Sequence, residues 1–223
     1  MGFADSCLRD GILGSKPELN IVYVPEAFQG CRDSFDDSYL FLVPMSEPGK
    51  EVSPFADLPH PVVYISLGSI ISNRGFCREC IRAFGNTEFS VILNTGKVPP
   101  ENLGAIPENI HARSFVPQVA VLGHTDVFLT HCGMNSINEA LCRGVPMVAM
   151  PFLNDQLTNA QRITALGLGK RVRSFPSRGK DLLRAVREVC ADPKYKQNTE
   201  AIRSAIREQT DWDGVIARIE ACG

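Results

Sequence analysis

Residues 115–159 gather side chains that bind anions and hydroxyl groups. A short apolar run at residues 126–130 leads directly into a polar turn, and the pattern predicts a helix that begins at about Met134. The free N–H groups of a first helical turn, together with the positive end of the helix dipole, favour a bound phosphate. His131 can donate a hydrogen bond there, and Ser136 can either cap the helix or bind a phosphate oxygen.

Other residues of the same stretch have the chemistry for a sugar and a base. Glu139 lies about one turn further into the predicted helix, and a carboxylate that accepts two hydrogen bonds suits the diol of a ribose. Asp155 and Gln156 follow the next predicted strand and offer acceptors and one donor group to sugar hydroxyls. With Phe115 as a base platform, the stretch has the groups that a nucleotide sugar requires.

The elements that position these residues alternate regularly between strand and helix. Strands are predicted at residues 62–67, 89–94, 109–115, 127–130 and 147–150, with a weaker one near 170–172, and shorter runs at 19–24 and 39–43 are also strand-like. Helices are predicted at residues 74–84, 117–123, 134–143, 155–166, 178–191, 193–209 and 213–221. This alternation indicates an α/β fold with a doubly wound parallel sheet, whose ligands bind outside the carboxyl ends of the strands. Gly144 is predicted to end a helix in the left-handed conformation.

The pattern resembles the donor-binding signature of the UDP-glycosyltransferases, the GT-B-fold enzymes of glycosyltransferase family 1. The resemblance rests on Phe115-Val-Pro-Gln118, His124, Thr130-His-Cys-Gly-Met-Asn-Ser136, Glu139, Gly144-Val-Pro146, Asp155-Gln156 and Asn159. Met134 stands where plant members usually carry Trp, and the interval between His124 and His131 is short, so the bacterial macrolide-type members are the most similar. The resemblance extends from about residue 20 to the end and is most specific within residues 115–159, because many positions occur there in fixed order.

The resemblance implies which residues contact the nucleoside. Phe115 would stack on uracil, although the family usually has the larger Trp at this place; the alternative is a buried core Phe at a strand end. The backbone of Val116 would meet the uracil edge, and Gln118 belongs to the same run. Glu139 would bind the ribose, where the alternative is a solvated charge on a helix face.

It also implies the contacts to the diphosphate and the transferred sugar. The phosphate residues would be His131, Gly133, Met134, Asn135 and Ser136, with Ser69 from the opposing strand end unless Gly68 and Ser69 form an ordinary turn. His131 is assigned to the diphosphate and not to catalysis, and a helix N-terminus favours its neutral form. Asp155 and Gln156 would hold the sugar, and Asp155 could also cap the following helix.

The implied activity is inverting transfer of a hexose from a UDP-sugar to the hydroxyl of a small hydrophobic acceptor. Members of the family have two Rossmann-like domains, and the N-terminal one binds the acceptor and carries the catalytic His near its first strand. The present chain has 223 residues and four His, of which His60 comes first. We therefore predict a donor-binding half with no catalytic residue of its own. The alternative is a non-catalytic nucleotide-sugar-binding subunit or an inactive remnant.

The domain prediction follows from this comparison and from proline density. Residues 1–45 are interpreted as a remnant of the acceptor-binding domain, the Pro-rich residues 46–60 as a linker, residues 61–210 as the UDP-sugar-binding domain and residues 211–223 as a C-terminal return helix. Prolines at this density prevent regular structure. The partners implied are the UDP-sugar, the acceptor, and either a separate N-terminal acceptor-domain chain or a second copy of this chain.

The amino-acid composition limits the classes of protein to which the chain can belong. With 44% hydrophobic residues, 22% charged residues and a net charge of −2, the chain has the composition of a globular domain and argues against nucleic acid and anionic membranes. The longest apolar run is far shorter than the roughly 20 residues that span a bilayer, and the N-terminus has no signal-peptide pattern. The cytoplasm and free thiols for the eight cysteines are therefore expected.

Three motifs with other possible functions are set aside. Cys77 and Cys80 form a CxxC within a predicted helix, but no second CxxC or nearby His completes a zinc site. Asp211-Trp-Asp213 resembles a metal-binding triad of a different glycosyltransferase fold, and Asp213 is expected to cap a helix instead. No GxGxxG follows a strand, which argues against a Rossmann dehydrogenase. We expect neither a metal nor a cofactor.

Overall fold

The computed structural model of the chain describes residues 18–43, 53–68, 73–173, 178–209 and 212–221. Its strands are β1 (Asn20–Val22), β2 (Tyr39–Phe41), β3 (Val62–Ser66), β4 (Ser90–Asn94), β5 (Ile110–Arg113), β6 (Val127–Thr130), β7 (Met147–Ala149) and β8 (Gly169–Arg171). Its α-helices are α1 (Arg74–Phe84), α2 (Gln118–Leu122), α3 (Met134–Cys142), α4 (Asp155–Ala165), α5 (Gly179–Ala191), α6 (Pro193–Gln209) and α7 (Trp212–Glu220). Short 3₁₀ turns occur at Glu26–Phe28, Arg32–Ser34 and Pro100–Leu103.

The main sheet confirms the predicted doubly wound fold. Its six strands are all parallel and lie in the order β5-β4-β3-β6-β7-β8. The chain leaves β3 in one direction through β4 and β5, and it continues in the other through β6, β7 and β8. The crevice between the carboxyl ends of β3 and β6 is therefore the topological switch point, where ligands of such sheets bind.

The strands are continuously apolar because helices cover both faces of the sheet. Val63 and Ile65 belong to a buried cluster that includes Phe84 of α1 and Val186 of α5. Tyr64 faces the opposite way and belongs to a second cluster, which includes residues of α2, α3, α4 and α6. This alternation follows from the period of two along a strand.

Helix and strand limits agree with the predictions to within a few residues. Gly144 follows α3 with φ of 63°, which confirms its predicted left-handed conformation. Strand β5 ends at Arg113, earlier than predicted, so that Phe115 lies beyond the strand. The cause is the partner strand: β5 is an edge strand of the sheet that pairs only with β4, and β4 ends at Asn94, opposite Arg113. No helix within the described ranges is long and apolar enough to cross a membrane.

The N-terminal segment, by which we mean residues 18–43, packs against the domain of the main sheet. Strands β1 and β2 pair with each other in parallel and form a sheet of their own. Phe28, Val43 and Phe55 are buried in the same cluster as Tyr64. The Arg162 guanidinium of α4 donates hydrogen bonds to the main-chain oxygens of residues 27–29. The segment is therefore anchored to α4, while the proposed boundary at residue 45 and the linker at 46–60 stay predictions.

Candidate functional site

A crevice of about 880 Å³ opens at the switch point of the sheet. It is lined by all the predicted site residues that the structure describes, namely Phe115, Val116, Gln118, His131, Gly133, Met134, Asn135, Ser136, Glu139, Asp155 and Gln156. Ser69 lies outside the described residues. The fold thus brings together residues from the loops after β5, β6 and β7. Their binding roles stay predictions.

Two glycines enclose the imidazole of His131 in this crevice, which we call the donor crevice. A Cβ on Gly68 would lie 2.7 Å from His131 Cε1, and a Cβ on Gly133 would lie 2.5 Å from its Nε2. Gly68 also has φ of +76°, which a residue with a side chain rarely adopts. Any larger residue at either position would displace the ring, so the two glycines place His131 at the start of α3.

The surroundings of His131 favour its neutral imidazole form. Burial lowers the pKa of His131 below its usual value of 6.5, and the negative charge of Asp155 opposes this effect. Its Nδ1 is buried and has no hydrogen-bond partner among the described residues. The lowered pKa agrees with the predicted neutral form. The main cause is burial, whereas the cause expected from the sequence was the helix N-terminus.

The start of α3 presents backbone donors to the donor crevice. The N-cap is Gly133, and the helix hydrogen bonds begin with Ile137 N donating to Gly133 O at 3.1 Å. The N–H groups of residues 134–136 precede this bond, and donors of a first helical turn have no partner within the helix. The prediction that Ser136 could cap the helix is wrong, because Ser136 is the third helical residue and its Oγ accepts a hydrogen bond from Gln118 Nε2 at 3.1 Å.

The polar turn before α3 is held by side chains on both sides. Cys132 has φ of 69°, an uncommon conformation for a residue with a side chain. Thr130 Oγ1 accepts from Cys132 N at 3.2 Å, and Asn159 Nδ2 donates to Cys132 O at 3.0 Å. Asn159 therefore stabilises the turn that positions His131.

Gln118 connects α2 to the carboxylate of α3. Its Nε2 donates to Glu139 Oε2 at 2.7 Å, which directs the half-buried carboxylate along one edge of the crevice. A second carboxylate oxygen is left to accept bonds from a ligand. Glu139 is thus held by a hydrogen bond, in contrast to the freely solvated charge that was the alternative.

Phe115 is 79% exposed and lines the donor crevice. The alternative of a buried core Phe is therefore wrong. Its neighbour Val116 is buried and fixes the loop from which the Phe115 ring projects. An exposed ring on a fixed loop provides a flat apolar surface for an aromatic ligand.

Asp155 and Gln156 lie where the loop after β7 enters α4. Asp155 is the first helical residue, and the N-cap is Asn154, so the alternative that Asp155 caps this helix is wrong. Gln156 Oε1 accepts from Phe152 N at 2.9 Å and from Leu153 N at 3.3 Å. The side-chain oxygen of Gln156 thus bonds to the loop, and its side-chain NH₂ group is the donor that remains for a ligand.

Sequence reasoning did not identify every residue of the crevice. Further residues that line it are Ser66, Gly68, Asn94, Gly96, Lys97, Ser114, Leu153 and Asn154. Many of these directly follow β3, β4 or β5. The sequence could have predicted them, because ligands of a parallel sheet bind at the carboxyl ends of its strands, and this applies to β4 as much as to β6.

No described residue of the motifs that were set aside lines the crevice, and Asp211 lies outside the described residues. Cys77 and Cys80 are buried free thiols in α1, and burial raises the pKa of both. Asp213 lies within the first turn of α7, which begins at Trp212, so the expectation that it caps this helix is wrong. In the part of the chain that the structure describes, no group of three or more His, Cys, Asp or Glu residues could hold a metal ion.

Comparison with known proteins places these features in a family. The family model described as UDP-glucoronosyl and UDP-glucosyl transferase matches residues 44–210. The chain is 34% identical over 210 residues to the NDP-glycosyltransferase YjiC of Bacillus licheniformis, covering 92% of the chain and 53% of that relative. It is 30% identical to the oleandomycin glycosyltransferase of Streptomyces antibioticus, covering 93% of the chain and 50% of that relative.

Comparison with solved structures also finds glycosyltransferases. The calicheamicin glycosyltransferase CalG4 superposes with a TM-score of 0.81 at 30% identity, covering 92% of the chain and 53% of CalG4. The glycosyltransferase of kitacinnamycin superposes with a TM-score of 0.83 at 31% identity, covering 92% of the chain and 55% of that protein. The chain therefore spans about half the length of the relatives that it matches.

Proposed function

Because the chain belongs to the UDP-glucoronosyl and UDP-glucosyl transferase family, within glycosyltransferase family 1, we propose that its donor crevice binds a UDP-sugar for hexosyl transfer. The acceptor would be a hydroxyl group on a small hydrophobic molecule, and the transfer would invert the anomeric centre. The observation that carries this proposal is the convergence of eleven predicted donor residues on one crevice at the switch point. A structure of Os79 from O. sativa in complex with UDP, at 29% identity and a TM-score of 0.59, supports the nucleotide.

In this proposal each part of the crevice has one task. The Phe115 ring stacks on uracil, and the Glu139 carboxylate accepts hydrogen bonds from the ribose diol. The diphosphate lies against His131 and the N–H groups at the start of α3. Asp155 and the Gln156 amide hold the hexose.

The diphosphate contacts would also promote the reaction. Negative charge grows on the phosphate oxygens as UDP departs, and fixed donors aimed at these oxygens stabilise the transition state. The N–H groups of residues 134–136 are fixed by the helix and need no rearrangement. We propose that these donors and His131 act without a metal ion or a cofactor.

The acceptor site and its general base would come from an acceptor-binding half that lies beyond the donor crevice. An acceptor hydroxyl must lose its proton as it attacks, and a general base takes that proton. His131, the one His of the donor crevice, is assigned to the diphosphate, and the chain spans about half the length of its relatives. We propose a separate N-terminal acceptor-domain chain as the partner, with association of two copies as the alternative.

The surface for that partner is an apolar groove of about 610 Å³ beside the donor crevice. Its exposed apolar side chains are Ile21, Tyr23, Trp212, Ile216 and Ile219, contributed by the N-terminal segment and α7. Asn135 lines both the groove and the donor crevice. A partner in the groove would therefore stand next to the bound diphosphate. Exposed apolar patches of this kind mark interaction surfaces.

A non-catalytic nucleotide-sugar binder is the second candidate function, because no residue that lines the donor crevice is assigned as a general base. Both candidates require the donor crevice to bind the nucleotide. Only the enzyme gains transferase activity when an acceptor-binding half is added. This difference separates the two experimentally.

We predict that the isolated chain binds UDP about tenfold more tightly than ADP, a difference of roughly 1.4 kcal/mol. The reason is that the backbone of Val116 would pair with the uracil edge, whereas adenine presents a different pattern of donors and acceptors. Calorimetric titrations with UDP and ADP test this, each performed in EDTA and in magnesium. Equal affinities for the two nucleotides would contradict the proposal for the base. A tenfold loss in EDTA would contradict the metal-free diphosphate site.

We further predict that UDP raises the pKa of His131. In the free protein the neutral form is favoured by burial, so this preference contributes stability above pH 6.5 that is lost as the pH falls through the lowered pKa. A diphosphate beside Nε2 would favour the imidazolium, and UDP should then bind more tightly as the pH falls. NMR titration of the His131 Cε1 proton with and without UDP measures the shift, with His60 as an internal control remote from the crevice. A pKa unchanged by saturating UDP would remove His131 from the diphosphate site.

A further inference from the structure

A phenol group lies buried directly beneath the donor crevice. Tyr64 of β3 is fully buried, and its ring stacks on that of Phe128 with centroids 5.0 Å apart and an interplanar angle of 9°. Its hydroxyl group donates to Gln118 Oε1 at 3.1 Å. None of the proposed ligand contacts involves Tyr64, so its hydroxyl requires a separate explanation.

The Tyr64 hydroxyl and the Glu139 carboxylate favour the same orientation of the Gln118 side-chain amide. With Oε1 accepting from Tyr64, the Nε2 group donates to Ser136 Oγ and to Glu139 Oε2. If the amide were rotated by half a turn, Oε1 would face the carboxylate of Glu139, and two acceptors would oppose each other. The observed orientation instead gives Glu139 a donor that holds its carboxylate in place.

The surroundings of Tyr64 keep its hydroxyl a donor to Gln118. Burial raises the pKa of Tyr64, and the nearby polar side chains of Ser66 and Asn94 oppose this rise only in part. The phenol therefore keeps its proton. Among the described residues, the side-chain hydrogen bond that this proton makes is the one to Gln118 Oε1.

We propose that Tyr64 is a positioning residue that makes the donor site selective for ribonucleotides over 2′-deoxyribonucleotides. It acts through Gln118, whose amide holds the Glu139 carboxylate where the two hydroxyls of a ribose diol can both reach it. This inference rests on the proposed function, because it assigns Glu139 to the ribose. It adds a residue below the crevice that contacts no ligand and yet determines the class of nucleotide bound.

The test compares binding of UDP and 2′-deoxy-UDP to the wild-type chain and to Tyr64→Phe. Loss of one hydrogen bond is expected to weaken UDP binding about fivefold, and 2′-deoxy-UDP binding should change less than about twofold. The ratio of the two dissociation constants is the decisive quantity. A purely structural defect would weaken both ligands equally and leave this ratio unchanged.

Two matched variants distinguish the hydroxyl from packing. Phe128→Leu disturbs the ring beneath Tyr64 but keeps the hydroxyl, and it should lower thermal stability without changing the ratio. Tyr64→Phe added to Glu139→Ala should have no further effect on the ratio, because the carboxylate on which Tyr64 acts is gone. A ratio changed equally by Phe128→Leu, or changed again in the double variant, would overturn the inference.

A direct observation of the wild-type hydroxyl covers the case in which Tyr64→Phe does not fold. Tyrosine labelled with ¹³C at Cζ gives one signal for each of the four Tyr residues, and Phe variants of Tyr23, Tyr39 and Tyr195 assign that of Tyr64. The Tyr64 signal should shift with UDP and not with 2′-deoxy-UDP. An identical response to both ligands would overturn the inference, whereas a wild-type chain that binds neither ligand would overturn the proposed function with it.

Discussion

The isolated 223-residue chain is expected to bind a UDP-sugar without transferring its hexose at a useful rate. A general base contributes about 10²–10⁴-fold to such reactions. Holding the acceptor in an attacking position contributes still more, because it removes the entropy cost of bringing two reactants together. We assign neither task to a residue of the donor crevice, so only slow hydrolysis of the donor should remain.

The measurement is an assay with UDP-glucose and a panel of flavonoid and macrolide acceptors, read by mass spectrometry. An intact relative such as the NDP-glycosyltransferase YjiC of Bacillus licheniformis serves as the positive control. Adding a separately expressed N-terminal half of such a relative should restore transfer, and Trp212→Ala in the apolar groove should reduce that restoration. Turnover by the chain alone at the rate of the intact relative, abolished by His131→Ala or Asp155→Ala, would show that the chain contains its own catalytic centre.

The second large effect is expected from Glu139→Ala, which should weaken UDP binding by about 1–3 kcal/mol. The substitution removes the acceptor for the ribose diol, and it also leaves Gln118 Nε2 without the partner that now lies 2.7 Å away. Both consequences act on the ribose, so binding of inorganic pyrophosphate should be unaffected.

Calorimetry on Glu139→Ala and on Glu108→Ala provides the comparison. Glu108 is an exposed carboxylate that does not line the donor crevice, so its loss changes the net charge equally and leaves the site intact. Glu139→Gln should give an intermediate affinity, because its amide oxygen can still accept from a hydroxyl. Equal affinity for UDP in wild type and Glu139→Ala would exclude Glu139 from the ribose site.

The sequence alone was sufficient for the order of elements, the parallel sheet and eleven of the residues that line the donor crevice. Each strand is a short, continuously apolar run, and each helix has apolar residues at helical spacing, so the type of element follows from local pattern. Parallel strands place their carboxyl ends at one edge of the sheet. Residues as distant as Phe115 and Gln156 could therefore be assigned to one site before any contact between them was known.

Only the tertiary structure decided what each of these residues contacts. Ser136 accepts from Gln118 instead of capping α3, Asn154 instead of Asp155 occupies the cap of α4, and Phe115 projects from the surface because β5 ends early. The close approach of Gly68 to His131, and the bond from Tyr64 to Gln118 across 54 positions, join segments that are remote in sequence. Such contacts depend on distances between packed elements, and neither residue type nor periodicity determines those distances.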